Sequence, residues 1–439
     1  MTASPPRALV SWLNPPGYIP PLRLSPLQVT TITDHGSEAT RSTSDYVLTP
    51  RGEYDLSRII QPIHPCNSFD LVLVQCDASG LNFPRNLAAF GCPRILLLCD
   101  THHMKMPLRR LMAYARSEAF EFIIGPYDRH HLHWFVEAGF GNVAWIPGAT
   151  LHHVPFPWLH QREPRLAMVG QLGKFHPRRA RLVSLLQQQG LPIMAGTGSR
   201  EVAAQLYAQS RISFNCSLNG DLNLRIFEIL GAGGFLLTDR LSQESGLDLL
   251  LEDGTEYVSY GSCDELLDKV RFYLEHPKEA LAIAEQGYIK FLRCHLPERK
   301  LKVIRDWLAG NALDPVYEAR RDQRTVMGTD PRVTLEQRMA IYEAIQDVHL
   351  HKENVTILIH PQAPFQIARD VSDLPRAQIF VLDFPESSAH DPLRTARPDL
   401  AQVALPRATS TAWDFVIWPA SRIEELSSHQ ISAASRLVV

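Results

Sequence analysis

The sequence predicts an α/β protein made of three domains, each built on a parallel sheet. Short apolar runs that end in a turn former recur along the chain, and stretches with a helical spacing of apolar residues separate them. Polar or proline-rich stretches divide these runs into three series. The chain has 439 residues, which is too long for one ordinary hydrophobic core and favours more than one domain.

The first series lies within residues 1–160 and predicts an N-terminal Rossmann-like domain. Its predicted strands are ALVSWL, FDLVLVQCD, RILLLCD, EFIIGP and NVAWIPG. A helix is predicted between the third and fourth strands, because Leu108, Leu111, Met112 and Ala115 share one helical face. HHLHWFVEAGFG predicts the next helix, which its glycine closes. This alternation of strand and helix is typical of a parallel sheet.

The second series lies within residues 161–312, after a proline-rich linker, HHVPFPWLHQREPR. The predicted strands RLAMVGQLG, LPIMAGTG, RISFNCS, FLLTD and EYVSYG alternate with predicted helices. Ser199 is the predicted N-cap of one helix, and Gly190 ends another. A basic amphipathic helical region, YIKFLRCHLPERKLKVIRDWL, is interrupted at Pro297 and closes the series.

The third series lies within residues 313–439 and predicts a smaller Rossmann-like unit. Its first strand, VTILIHPQAP, stands where a cofactor-binding fold would carry a glycine loop, yet it contains no glycine. Asp383, which ends AQIFVLD, occupies the position of a ribose-binding acid. Because the glycine turn is missing, we predict a degenerate, non-catalytic unit for partner, acceptor or dimer contacts.

The composition argues against two classes of partner. With 44 basic and 47 acidic residues, the net charge of -3 provides no broad positive field for a nucleic acid. No apolar stretch approaches the ~18 residues that span a bilayer, and the first residues lack the apolar core of a signal peptide. The sequence therefore predicts a cytoplasmic protein without a transmembrane segment.

The stretch NCSLNGDLNLRIFEILGAGGFLLTD, residues 215–239, carries the strongest functional signal. Asp221 is the predicted cap of a helix whose N-terminus would favour a diphosphate. Arg225 and Glu228 are three residues apart and share the polar face of that helix. An ordinary intrahelical ion pair explains the same two residues, and a tight turn explains the three glycines that follow. The position at a strand end of an open α/β sheet favours a ligand site instead.

These residues resemble a known family. NGDLNLRIFEILGAGGFLLTD and the following GLDLLLEDGTEYVSYGSCDELLDKVRFYLEHPKEALAIAEQGYIKF are similar to bacterial spore-maturation-type (CgeB-like) glycosyltransferases of the group 1 class. The resemblance extends to VGQLGKFHPRRARLVSLL, LLCDTHHMKMPLRRLMAYA and AWIPGATLHHVPF, roughly residues 70–305. It implies a GT-B fold with two facing Rossmann-like domains, to which the third series adds a small α/β domain.

The resemblance also implies roles for residues on the donor side. Glu228 would hold the ribose hydroxyls of a nucleotide sugar, most simply a UDP-sugar, and Arg225 would face the diphosphate or the sugar. Asp221 and Asn223 are further donor-binding candidates. Gly220 stands where related retaining enzymes carry a glutamate, which leaves the stereochemical outcome open, and Asp221 is a candidate to replace it. The nucleobase is expected near AGTGSREVAAQLY.

Cationic side chains after the strand LAMVG are candidates for the leaving diphosphate. Lys174 and Arg178 lie in that loop and at the start of the next helix. A leaving diphosphate needs fixed positive charge in an enzyme that uses no metal. A solvated basic face is the alternative interpretation of the same residues.

Asp100 and His102 in CDTHH are the candidate catalytic residues. They follow a buried strand, where side chains of this fold class point towards the cleft, and they match the D-T-H pattern of the resembling family. Either could deprotonate an acceptor hydroxyl, although a hydrogen-bonded loop also explains them. The eighteen histidines show no metal-ligand spacing, so neither a metal nor a cofactor is predicted.

The predicted function is therefore transfer of a sugar from a nucleotide donor to a hydroxyl-bearing glycan, protein or small molecule. Two alternatives stay open on the same fold. One is a sugar-nucleotide epimerase or glycan phosphorylase, and the other is a scaffold that binds sugar nucleotides without catalysis.

Overall fold

The structure is a computed structural model, and it describes residues 7–13, 31–33, 47–64, 69–102, 104–173, 176–319, 333–352, 354–372, 374, 377–383, 400–428 and 431–438. The chain divides into two compact units. Unit 1 comprises Met1–His103 and Arg110–Arg320, and unit 2 comprises Met104–Arg109 and Arg321–Val439.

Unit 1 contains two large parallel sheets. The strands of the first sheet are β1 (Ala8–Trp12), β2 (Thr31–Thr33), β3 (Val47–Thr49), β5 (Leu71–Cys76), β7 (Arg94–Leu98), β8 (Phe122–Gly125) and β9 (Val143–Trp145), and β4 (Gly52–Asp55) pairs with β6 (Asn82–Arg85) in a separate ribbon. The first sheet has the order β3-β2-β1-β5-β7-β8-β9. The order reverses between β1 and β5, which is the point where open α/β sheets bind ligands.

The second sheet has the order β11-β10-β12-β13-β14. Its strands are β10 (Glu163–Val169), β11 (Ile193–Gly196), β12 (Ser210–Phe214), β13 (Leu236–Asp239) and β14 (Val258–Tyr260). Here the order reverses between β10 and β12. Every pair in this sheet is parallel, so the carboxyl ends of the strands meet at one edge.

The helices of the first 320 residues flank these sheets. They are α1 (Leu56–Ile60), α2 (Pro107–Ser117), α3 (Leu132–Glu137), α4 (Pro177–Gln188), α5 (Arg200–Gln209), α6 (Leu224–Gly231), α7 (Leu247–Leu250), α8 (Cys263–Glu275), α9 (Pro277–Lys290) and α10 (Pro297–Leu308). Ser199 caps α5, as predicted, by accepting a bond from the Val202 backbone N–H. A π-helical turn at Phe291–His295 separates α9 from α10.

Two apolar cores hold the sheets of unit 1. Val10, Leu73 and Leu97 belong to the first core, and Met168, Phe214 and Leu237 belong to the second. Ile304 of α10 lies in the first core, and Trp307 packs its ring edge-on against Phe122. The chain therefore returns from the second domain to the first, which fixes the two sheets in one unit.

Unit 2 contains the third sheet, of order β17-β16-β15-β18-β19, in which all pairs are parallel. Its strands are β15 (Val355–Ile359), β16 (Ala377–Asp383), β17 (Ala401–Ala404), β18 (Trp413–Trp418) and β19 (Ala433–Val438). Its helices are α11 (Leu335–His349), α12 (Phe365–Ser372), α13 (Leu405–Ser410) and α14 (Ile423–Ser428). Thr334 and Gln337 form a capping box at the start of α11.

The strands and helices that the sequence predicted are present, and the parallel α/β class is confirmed. The sequence reading missed β2, β3, β17 and the ribbon of β4 with β6. Short strands carry too few residues for a periodic signal. No helix in the described parts of the chain combines the length and apolar character needed to cross a bilayer.

Candidate functional site

A cleft of about 360 Å³ opens between the carboxyl ends of the two sheets in unit 1. The first sheet contributes side chains that follow β1, β5 and β7, and the second contributes the start of α5 and the loop before α6. The lining residues are Trp12, Leu13, Gln75, Asp77, Cys99, Asp100, Tyr127, Thr150, Arg200, Asp221, Asn223 and Leu224. Residues of both domains therefore line the cleft at the carboxyl ends of their strands, where parallel sheets bind ligands.

The loop between β12 and α6 is folded on its own side chains. Asp221 Oδ1 accepts bonds from the backbone N–H groups of Leu218 and Asn219, at 2.8 and 3.2 Å. The prediction that Asp221 caps the helix is wrong, because α6 begins after Asn223, whose side chain makes no capping bond. The first turn of α6 is thus left without a side-chain cap next to the cleft.

A buried ion pair fixes the other end of this loop. Asp239, at the end of β13, accepts bonds from Arg178 Nη1 at 2.6 Å and from the Ser217 backbone N–H at 2.8 Å. Arg179 donates to the backbone carbonyls of Gln171 and Cys216. Arg178 is not among the residues that line the cleft, so the geometry gives it a part in positioning the loop. Lys174 lies outside the described residues.

Arg225 spans the point where the strand order of the second sheet reverses. Its Nε donates to the Val169 carbonyl at 2.7 Å, and its Nη1 donates to Asn215 Oδ1 at 2.9 Å. Gly170 makes room for this side chain, since a Cβ there would lie 2.1 Å from Arg225 Nη2. Gly170 also has φ +153°, where residues other than glycine are strained.

Glu228 lies in a smaller cavity of about 20 Å³, together with His152, His153, Val154, Arg200, Ala203, Ala204 and Phe227. Burial raises the pKa of Glu228, and the positive charges of Arg225 and Arg200 oppose that rise. The Glu228 backbone carbonyl accepts a bond from the Ala232 N–H, but its carboxylate accepts no hydrogen bond from the described residues and is available to hydroxyl groups of a ligand. Arg200 lines both cavities and connects them.

Two asparagine amides in the same loop have unsatisfied polar atoms. Asn219 is fully buried, and neither its Oδ1 nor its Nδ2 has a partner in the described part of the chain. The same holds for the amide of Asn223, which lines the cleft. Buried amides without partners are costly, and a polar ligand in the cleft would satisfy the amide of Asn223.

Asp100 and His102 lie on the first-domain side of the site. His102 is 3% exposed, and its Nδ1 lies 3.1 Å from Asp128 Oδ2. Thr101 Oγ1 donates to the same carboxylate oxygen at 2.6 Å. Asp100 lines the cleft directly, whereas His102 is not among its lining residues. Asp128 therefore orients His102 beside Asp100.

Asp100 and His102 differ in the pKa that their surroundings give them. Burial raises the pKa of Asp100 to about 7, although the positive charge of His102 lowers it. Burial opposes the charge on His102, but the negative charge and hydrogen bond of Asp128, together with Asp221, raise its pKa to about 10. The negative charge of Asp221 raises the pKa of both groups, so the predicted donor and acceptor sides interact electrostatically.

Within the described residues, one set of potential metal ligands includes Asp128, the partner of His102. Ligand atoms of the buried residues Asp128, His130 and His131 lie within 4.8 Å of one another. Thr101 Oγ1 is 2.6 Å from both Asp128 Oδ2 and His131 Nδ1, so its hydroxyl joins two of these atoms by hydrogen bonds. The arrangement fits a hydrogen-bonded network, and that a metal is not needed stays a prediction.

Sequence reasoning missed Arg200, Asp239 and Asp128. Arg200 follows directly after the predicted cap Ser199 and could have been found as a cation at a helix N-terminus beside a strand end. Asp239 ends a predicted strand that leads to the same edge as Asp221. Asp128 lies in a loop before a short helical turn, and no pattern marks it.

Part of the second domain is similar to a known family. Residues 194–306, about a quarter of the chain, match a family model described as glycosyl transferase-like. No curated protein matches the sequence. The matched segment contains α5, the loop of Asp221, α6 and Glu228, and the match supports a transferase.

A solved structure with a TM-score of 0.50 has a similar fold, and two others have lower scores. Sucrose-phosphate synthase from Thermosynechococcus elongatus has a TM-score of 0.50 at 9% identity and covers 70% of this chain and 100% of that one. HepE from Anabaena in complex with UDP has a TM-score of 0.49 at 12% identity, again over 70% and 100% of the two chains. A glycosyltransferase from Rickettsia africae ESF-5 gives 0.47 at 11%, over 70% and 99%. The predicted glycosyltransferase fold of the GT-B type is confirmed.

Proposed function

We propose that the protein transfers a sugar from a nucleotide sugar to a hydroxyl group of an acceptor, with the reaction in the cleft of unit 1. The observation that carries this proposal is the lining of that cleft. Asp100 comes from the first sheet, and Arg200, Asp221 and Asn223 come from the second. A carboxylate with a pKa near 7 thus faces a cation and an unsatisfied amide across one cleft.

The donor is held by the second domain in this proposal. Glu228 accepts bonds from the vicinal ribose hydroxyls, since an ionised carboxylate can accept two. Arg200, between the two cavities, neutralises the diphosphate, while Arg225 shapes the strand ends beside it. We propose a UDP-hexose as donor, following the resemblance to spore-maturation-type enzymes.

The acceptor is activated from the first domain. Its hydroxyl oxygen forms the new bond to the anomeric carbon, and the bond from that carbon to the diphosphate oxygen breaks. The electron pair of that bond leaves with the nucleoside diphosphate, and the hydroxyl proton passes to Asp100. At neutral pH His102 is a cation with a pKa of about 10, so Asp100 is the better base.

A donor screen tests the reaction class. Purified full-length protein is incubated with UDP-, GDP-, ADP- and dTDP-sugars and simple acceptors, and both released nucleotide and sugar products are measured. We expect acceptor-dependent release with one nucleobase preferred, and a large loss in Glu228→Ala. An epimerised free sugar nucleotide, or a requirement for inorganic phosphate, would contradict transfer. A Glu228→Ala variant as active as the parent on every donor would contradict the site.

We further propose that the reaction needs no metal ion. Fixed guanidinium groups near the diphosphate support catalysis without a metal, so activity should survive dialysis against EDTA. A cytoplasmic location also stays a prediction. For unit 2 we propose partner, acceptor or dimer contacts without a cofactor, and specific binding of S-adenosylmethionine to the full chain would contradict this.

A further inference from the structure

A third cavity of unit 1, about 420 Å³ in volume, lies away from the cleft. Its lining residues are His160, Gln161, Arg162, Arg211, Pro277, Lys278, Ala280 and Leu281, and none of them lines the other two cavities. Arg162 directly precedes β10, and Arg211 is the second residue of β12. The cavity is therefore at the amino ends of the strands, roughly 20 Å from the donor side by strand length.

The lining of this cavity is cationic. Arg162, Arg211 and Lys278 contribute positive charge, and none of the eight lining residues is acidic. In the described part of the chain, these three residues form no ion pair within 4.0 Å; the nearby Arg165, by contrast, pairs with Glu163. Three cations at one cavity without a counter-ion favour an anionic ligand.

Arg162 is held in place by one hydrogen bond but keeps a buried N–H group that has no partner among the described residues. Its Nη2 donates to the Gly233 carbonyl at 2.6 Å, and its guanidinium lies 5.0 Å from the centre of the Trp158 ring. Its Nη1 is buried and has no hydrogen-bond partner among the described residues. Burial alone lowers the pKa of Arg162 to about 10, with no carboxylate opposing the shift. A buried guanidinium without an anion is costly.

Arg211 shows the same pattern on the other wall. Its Nη1 donates to the Leu274 carbonyl, while its buried Nε has no partner in the described part of the chain. Both arginines are thus held in place by backbone carbonyls and retain unsatisfied N–H groups. Such preorganised guanidinium groups bind phosphoryl oxygens well.

The start of α9 adds backbone N–H donors to the arginine and lysine side chains of the cavity. This helix has 14 residues and begins at Pro277, and its N-cap residue His276 makes no side-chain capping bond. Pro277 has no N–H, so the backbone donors of the first turn are those of Lys278 and Glu279, at the positive end of the helix dipole and next to the part of the cavity that Pro277 and Lys278 line. Helix N-termini of this kind favour phosphate.

We propose that this cavity binds the phosphoryl group of a small anion through Arg162, Arg211, Lys278 and the start of α9. The volume is in the range of small-molecule sites, so it accommodates a phosphate ester as well as free phosphate. Because the cavity shares no residue with the cleft, its ligand and the nucleotide sugar bind at the same time. The site is independent of the proposed transfer reaction.

Thermal unfolding of the full chain tests this proposal with inorganic phosphate and with a hexose 6-phosphate, each against sodium chloride of equal ionic strength. We expect either phosphate to raise the unfolding midpoint by about 3 °C near saturation. A lower half-saturating concentration for the hexose phosphate identifies an ester site, and equal values identify recognition of the phosphoryl group alone. A midpoint no higher than in chloride would refute the site.

Variants locate the binding. Arg211→Gln should weaken binding at least about tenfold, since it removes a charge-assisted hydrogen bond. Lys278→Gln, at an exposed position, should weaken it less and fold normally. Gln286→Glu is the matched control, because it changes the net charge by the same amount at an exposed position of α9 that does not line the cavity. Arg200→Gln controls for phosphate binding in the cleft.

The result expected is a loss of the phosphate shift in Arg211→Gln and a reduction in Lys278→Gln, with the shift retained in Gln286→Glu and Arg200→Gln. If Lys278→Gln keeps the full shift while Arg200→Gln loses it, the phosphate binds in the cleft and the proposal is wrong. Lys278→Gln keeps the test decisive even if Arg211→Gln fails to fold.

Discussion

The second and third sheets have the same parallel architecture but differ at the point where the strand order reverses. In the second sheet this point lies between β10 and β12, where Gly170 leaves space that the Arg225 side chain enters. In the third sheet it lies between β15 and β18, where His360 is 1% exposed and its ring centre lies 4.6 Å from that of Trp418. One point is open to polar groups, and aromatic side chains fill the other.

A reversal of strand order opens a crevice at the edge of a sheet, but it does not by itself supply the side chains that bind a ligand. The second sheet adds a glycine, a guanidinium and a carboxylate, whereas the third substitutes a buried histidine and places Asp383 in an exposed position at the end of β16. Function therefore depends on a few side chains at one strand edge, as expected when one fold serves many activities.

We expect the largest loss of stability when either of two buried ion pairs, one in each unit, is broken. Arg178→Met removes the partner of Asp239, and Arg338→Met removes the bidentate partner of Asp370 in unit 2. We expect each change to lower the free energy of unfolding by about 3–5 kcal/mol, because an uncompensated carboxylate stays buried. Urea unfolding followed by fluorescence measures this loss.

The two variants should differ in activity. Asp239 also holds the backbone of Ser217 in the loop next to the cleft, so the folded fraction of Arg178→Met should show a higher KM for the donor. Arg338→Met should keep the parental KM at temperatures where it is folded. Equal donor KM values in both variants would show that Arg178 does not position the loop next to the cleft.

The next effect compares a charged residue near the end of the second strand of the second sheet with one in the third sheet. Arg200, which begins α5 after β11, lines the cleft and the Glu228 cavity, while Asp383, the last residue of β16, is exposed. Arg200→Gln should lower kcat/KM about a hundredfold, because a fixed cation at the leaving diphosphate is lost. Asp383→Asn is the control and should leave kcat/KM unchanged. Similar losses in both variants would mean that the third sheet takes part in the reaction.

A smaller effect is expected at the glycine that keeps the second sheet open. Gly170→Ala forces the Arg225 guanidinium to move, because the new Cβ would lie 2.1 Å from Nη2. An alanine at φ +153° is also strained, so we expect some loss of stability. Since the far end of the Arg225 side chain can shift, we also expect about a tenfold rise in the donor KM, ~1.4 kcal/mol. Gly139→Ala is the control for backbone strain, because Gly139 has φ +96° and nothing lies within 4 Å of its added Cβ. An unchanged donor KM in Gly170→Ala would show that donor binding does not depend on the position of Arg225.

The sequence predicted this fold more fully than it predicted the site. Apolar runs and caps such as Ser199 mark the elements locally, and so the three sheets could be predicted. The cap given to Asp221 was wrong because its side chain bonds backwards within its own loop, a choice that depends on the path of the loop. Arg200 shares a cavity with Glu228, and Asp239 pairs with Arg178, which is 61 residues away along the chain, so no local pattern reveals their roles.

The smallest effect is a shift of the pH profile, which tests the first-domain half of the cleft. If Asp100 is the base, kcat/KM should rise as the pH passes about 7, because the proton must leave this carboxyl group first. His102 is a cation throughout that range, with a pKa of about 10, and its positive charge favours the ionised form of Asp100. His102→Gln removes this charge and should move the rise to higher pH by about half a unit to one unit.

Asp77→Asn should move the rise in the opposite direction, since the negative charge of Asp77 raises the pKa of Asp100. The matched pair thus distinguishes an electrostatic effect from general damage to the cleft, which would lower the rate without opposite shifts. Asp100→Asn should abolish the dependence on this ionisation altogether. A rise near pH 7 that persists in Asp100→Asn would assign the base to another residue, and the first domain would then contribute shape rather than proton transfer to the reaction.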